Sequence, residues 1–179
     1  MYAQSVKSAL HGVGREGVGS PADSCPSKRI LLLVVDDSEE FHVALRWASR
    51  RAMHTDSRIG LLYVMERPEA GEWISIQHQM RADARDEAEG MLQQVAAECY
   101  ELSGLVSAFF LREGDKREEI IALAKEEPNI AVLVLGAGKE PSEPGPLVST
   151  LVGKMSGSFK VPILVVPSAL RDDVTLALS

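Results

Sequence analysis

The 179-residue chain has only two cysteines, Cys25 and Cys99, and neither lies in a paired motif. That excludes a disulfide scaffold and fits a reducing compartment. An excess of basic charge is also absent. The formal net charge of -7 excludes unspecific nucleic-acid or anionic-membrane binding, because both need a basic surface. It leaves a nucleotide open, since a local dipole can hold phosphate on an acidic protein. No run approaches the ~18 apolar residues of a membrane span. No compact apolar stretch precedes a small-residue cleavage site, so no secretory signal is read and a cytoplasmic location is expected. His42, His54 and His78 have no spacing that sets two on one helix face, and no cysteine is placed to join them, so no metal site is expected. No sharp strand-to-helix nucleophile turn occurs, and no catalytic residue is assigned.

What is present is an ordinary globular composition, 45% hydrophobic and 25% charged, at a length that suits one domain. Residues 1–27 are rich in Gly, Ser and Ala and read as a flexible N-terminal tail. Gly12, Gly14, Gly17 and Gly19 follow no apolar strand, so they do not form a phosphate loop. From Arg29 the pattern changes. Arg29-Ile-Leu-Leu-Leu-Val-Val35 reads as a buried strand, closed by Asp36-Asp37-Ser38. Ser38 or Asp37 is placed to cap a helix on which Phe41, Ala44, Leu45 and Ala48 recur, with Trp47 off the stripe. A second strand is expected over 59–65. The longest helix follows, over 75–102, with Ile76, Met80, Ala84, Ala88, Leu92, Val95, Cys99 and Leu102 on one face and Gly104 as its stop. A third strand is expected over 105–111. Asp115 and Glu118 then form a capping box for a helix with the stripe Ile120, Ile121 and Ala124.

The last unit runs from Asn129 to Pro167. Ile130-Ala-Val-Leu-Val-Leu135 is a strand, and Gly136-Ala-Gly138-Lys139 follows at once, then a proline-bearing loop. Leu147, Leu151, Met155 and Phe159 mark a helix, and Val161-Pro-Ile-Leu-Val-Val166 a final strand. Five strands alternating with four helices predict a doubly wound, Rossmann-like α/β domain with a parallel sheet over residues 28–168 and a C-terminal tail over 169–179. In such sheets ligands sit at the carboxyl ends of the strands. Gly138-Lys139-Glu140 is not a P-loop: the glycine five residues before the Gly-Lys pair is missing, and Glu140 replaces the magnesium-holding Ser/Thr. Asp36 and Asp37, adjacent on an extended chain, point apart, which suits a cap and a crevice-lining carboxylate.

These residues resemble the universal stress protein family. Val34-Val-Asp36 with Ser38 is similar to its first strand and turn, Leu62-Tyr63-Val64 to the end of its second strand, and Gly114-Asp115 to its third turn. The spacing from Gly136 to Pro167 fits its last βαβ unit without a gap. The resemblance implies a sheet of order 3-2-1-4-5 and an adenine nucleotide, ATP or AMP with Mg, between strands 1 and 4. Nucleotide-binding members carry Gly-x-x-Gly, nine residues, then Gly-Ser or Gly-Thr. Carried over, this gives a nucleotide site of Val34, Asp36, Val64, Gly136, Gly138, Lys139, Ser149 and Thr150. Lys139 and Ser149 stand where motif glycines are expected, and Gly138 sits one position early. If Pro146 begins the helix, Ser149 lies inside it and its amide turns away from a phosphate.

Two readings therefore stand side by side. One is a regulatory module binding an adenine nucleotide; the other is a dimeric stress protein that binds none and acts through protein partners. Catalysis is expected to be absent, or at most slow ATP hydrolysis. The family commonly pairs its last strand with a twin, so a homodimer through residues 161–166 is expected. That pairing would also cover an apolar sheet edge. The glutamates around residues 113–127 read as a solvated helix face or a docking patch for a basic partner.

Overall fold

The computed structural model describes residues 28–66, 74–138, 146–149, 151 and 159–170. All five side chains of β1 (Ile30–Val34) are buried, as a strand covered on both faces requires. Ile30, Leu32 and Val34 enter one core, and Leu31 and Leu33 enter the other. Around it lie β2 (Arg58–Met65), β3 (Ala108–Glu113), β4 (Ile130–Ala137) and β5 (Ile163–Pro167). The order is β3-β2-β1-β4-β5 with every pair parallel.

Helix α1 (Glu39–Thr55) and α2 (Ile74–Ser103) cover one face. Phe41, Ala44, Leu45 and Ala48 of α1 meet Leu92, Val95 and Cys99 of α2 over Leu33, Leu61 and Val134. Helix α3 (Lys116–Glu126) and the helical turn α4 (Pro146–Val148) cover the other, where Ile120, Leu123, Val148 and Leu151 meet Leu32, Leu62 and Leu133. Each fully buried leucine here contributes about 1.5–3 kcal/mol over its exposed state.

Several boundaries differ from expectation. The third strand lies at Ala108–Glu113, not 105–111: Leu105 and Val106 belong to the connection, and Val106 is 64% exposed. Polar Arg112 and Glu113 are in the ladder because their charges reach partners, Arg112 to Glu126 (2.6 Å) and Glu113 to Arg81 (2.9 Å). The last strand starts at Ile163, and Val161 packs on the α3 side as part of its approach. The α2 stripe is buried from Ala88 to Cys99, whereas Ala84 is exposed. At 1.5 Å per residue a 30-residue helix outruns strands of five to eight residues. In α3, Leu123 is buried and Ala124 only half-buried. The expected tails, most of the loop after β4, and Met155 lie outside the described residues.

One irregularity shifts the register between β1 and β4. Ile30 pairs with Ile130 but Leu31 with Val132, so Ala131 is an extra residue in β4. That bulge lets Ile130 and Leu133, three apart, enter the same core. In β2, a Cβ on Gly60 would lie 2.6 Å from Ile30 Cγ2 and 3.1 Å from Phe110 Cε2, so glycine leaves room for those side chains across the sheet.

Candidate functional site

The strand order reverses between β1 and β4, and a doubly wound sheet opens its crevice at the carboxyl ends of that pair. Asp36 lies two residues past the end of β1, after Val35, and is half-buried. Its Oδ1 accepts from Ser38 N (3.0 Å) and from Ser38 Oγ. Ser38 is the N-cap of α1: its backbone is extended (φ -94, ψ 150), and its Oγ accepts from Phe41 N at 3.1 Å. One hydroxyl thus ties the carboxylate to the first turn of the helix. Asp36 Oδ2 has no partner among the described residues. Asp37, the other capping candidate, is exposed.

Across the crevice, Gly136 has a steric task that the sequence does not reveal. A Cβ there would lie 2.9 Å from Glu40 Cβ and still closer to the Glu40 carbonyl carbon and oxygen. The first turn of α1 rests directly on β4 at this position. Gly136 is therefore accounted for by packing, apart from any ligand.

Val34 and Val64 are buried in the α3-side core, so what they offer a ligand is backbone. Gly138 follows β4 and is half-buried, beside the bond from Ser168 N to Ala137 O (3.1 Å). Pro146–Val148 is helical. Ser149, exposed, follows that helical turn and does not open it. Lys139 and Thr150 lie outside the described residues. The structure thus brings Asp36, Ser38, Glu40 and Gly136 together through the first turn of α1, and leaves Ser149 on the opposite helical layer. Ser38 as a cap is legible in sequence; the Glu40–Gly136 approach is not, because it depends on tertiary packing.

On the outer side, His42 Nδ1 lies 3.0 Å from Glu98 Oε2, joining α1 to α2. Among the described residues no group of three His, Cys, Asp or Glu is placed to hold a metal ion. None of the described helices is long and apolar enough to cross a membrane.

A model of the universal stress protein family matches residues 28–167. The chain belongs to that family. No curated protein matches it in sequence. Solved structures of universal stress proteins share the fold. One from Burkholderia pseudomallei is 21% identical, with a TM-score of 0.58, covering 79% of this chain and 98% of that one. An Arabidopsis thaliana member with AMP bound is 18% identical, with a TM-score of 0.53 and coverages of 81% and 94%. A universal stress protein in complex with cAMP is 14% identical, with a TM-score of 0.55 and coverages of 80% and 99%. At these identities the likeness is one of fold, and the expected sheet order is the observed one.

Proposed function

We propose that this universal stress protein domain is a regulatory module that takes an adenine nucleotide at the carboxyl ends of β1 and β4, held by its nucleoside rather than its phosphates. The asymmetry of the crevice carries this reading. On the β1 side, Asp36 is half-buried with one carboxylate oxygen uncommitted among the described residues. On the phosphate side, Lys139 and Ser149 replace the motif glycines, and Ser149 follows the helical turn Pro146–Val148 and does not open it. The AMP- and cAMP-bound structures of the same fold support an adenine ligand. Calorimetry with adenosine, AMP and ATP, with and without Mg, tests it, together with mass analysis of the denatured protein for copurified nucleotide. Adenosine and AMP are expected to bind within about threefold of ATP, since charge-assisted phosphate contacts add little here. The absence of heat at millimolar ligand, with no released nucleotide, refutes the reading.

A second reading, a dimer acting through protein partners without a nucleotide, is favoured by one observation. Val165 is 37% exposed on β5, the sheet-edge strand. An apolar edge is a template for pairing with another chain. Val165→Lys is expected to convert a dimer to a monomer in sedimentation equilibrium; a wild-type monomer sinks the pairing. If Lys139→Gly with Ser149→Gly creates nucleotide binding that the parent lacks, this second reading replaces the first. The sparse cysteines, with Cys99 free and buried, suit the cytoplasm on either reading.

A further inference from the structure

The link between Ser38 and Asp36 has a chemical consequence that rests on the nucleoside reading above. Ser38 gives both its N–H and its O–H to the same oxygen, Asp36 Oδ1. Its Oγ accepts in turn from Phe41 N. The backbone of Glu40, in that same turn, is seated on Gly136 and cannot slide toward β4. The carboxylate is therefore held through one oxygen by a turn that is itself braced. A carboxylate with both oxygens available suits a base edge with two adjacent donors, as on guanine, whose N1–H and N2 amine lie side by side. With Oδ1 taken by both Ser38 donors, only Oδ2 is uncommitted among the described residues, and one oxygen cannot face two side-by-side donors as a pair of oxygens does. A single oxygen suits an edge with one amine donor, the N6 amine of adenine.

We propose that Ser38 is a positioning residue that sets base selectivity: by occupying Asp36 Oδ1 it leaves one oxygen for an amine-bearing base and denies guanine its paired contact. The test uses the full chain with neutral adenosine and guanosine, so that added charge has no phosphate to act on, and records the thermal midpoint in parallel. Ser38→Asp keeps a good helix cap but has no side-chain proton to donate to Asp36. Ser38→Thr keeps both functions. In wild type, adenosine is expected to bind at least about tenfold more tightly than guanosine, the effect of one charge-assisted hydrogen bond. Ser38→Thr should retain that ratio, and Ser38→Asp should bring it close to one while its thermal midpoint stays near that of the parent. An unchanged ratio in Ser38→Asp makes Ser38 a cap only and overturns the inference, leaving the nucleoside reading in place. If wild type binds neither nucleoside, both fall together.

Discussion

Replacing Gly136 by alanine puts the contact between β4 and α1 to a direct test. The added methyl would sit 2.9 Å from Glu40 Cβ and closer still to the Glu40 carbonyl group. Neighbours at that distance must move, and none is the end of a flexible side chain. Relief has to come from the first turn of α1, which is held by Ser38 and by Phe41, Ala44 and Leu45 in the core. Overpacking usually costs about 1–3 kcal/mol, and backbone neighbours place this case at about 3 kcal/mol. For a domain of this size that lowers the thermal midpoint by about 6–12 °C. Gly90 is the internal control. It lies within α2, where an added methyl would meet nothing within 4 Å, so Gly90→Ala should stabilise by about 0.5–1 kcal/mol. Urea unfolding of both variants, followed by circular dichroism, reads the two signs together. A Gly136→Ala protein within about 0.5 kcal/mol of wild type would refute the argued close approach, because that is the ordinary scatter of harmless substitutions.

Two further substitutions probe the frame that holds the site. Leu45→Ala empties a fully buried position between α1 and the sheet; a loss of about 2–5 kcal/mol is expected, seen as a lower urea midpoint at an unchanged slope. Gly104 ends α2 with φ +68 and donates its N–H to Tyr100 O at 2.7 Å. Gly104→Ala should cost about 1–2 kcal/mol in the same assay, although its methyl would meet nothing within 4 Å.

Legibility in the sequence follows from which forces are local. The strands β1, β2 and β4 are legible because burial on both faces demands unbroken apolar runs. β3 lies further along the chain than its apolar run suggests because its rim carries Arg112 and Glu113, whose partners come from α3 and α2. The stripe of α2 reads too far because the sequence does not show where the sheet beneath it ends. At the site, Ser38 announces a cap that the structure has, and Pro146 lies in a helical turn. Gly136 reads as a ligand contact, yet its tightest neighbour is Glu40, in a helix far earlier in the chain. No local pattern carries that distance.

The order of the strands also dictates an order of events. β1 finds its partner β2 in the next βα unit, and β3 joins by the same route. Its other edge waits for β4, beyond two further helices in the chain. During synthesis at about 5–20 residues per second, several seconds separate the end of β2, at Met65, from the start of β4, at Ile130. Throughout that interval a strand with five buried side chains offers an open ladder to any extended chain nearby. The nascent protein is most exposed to mispairing at the strand that becomes its best-protected element.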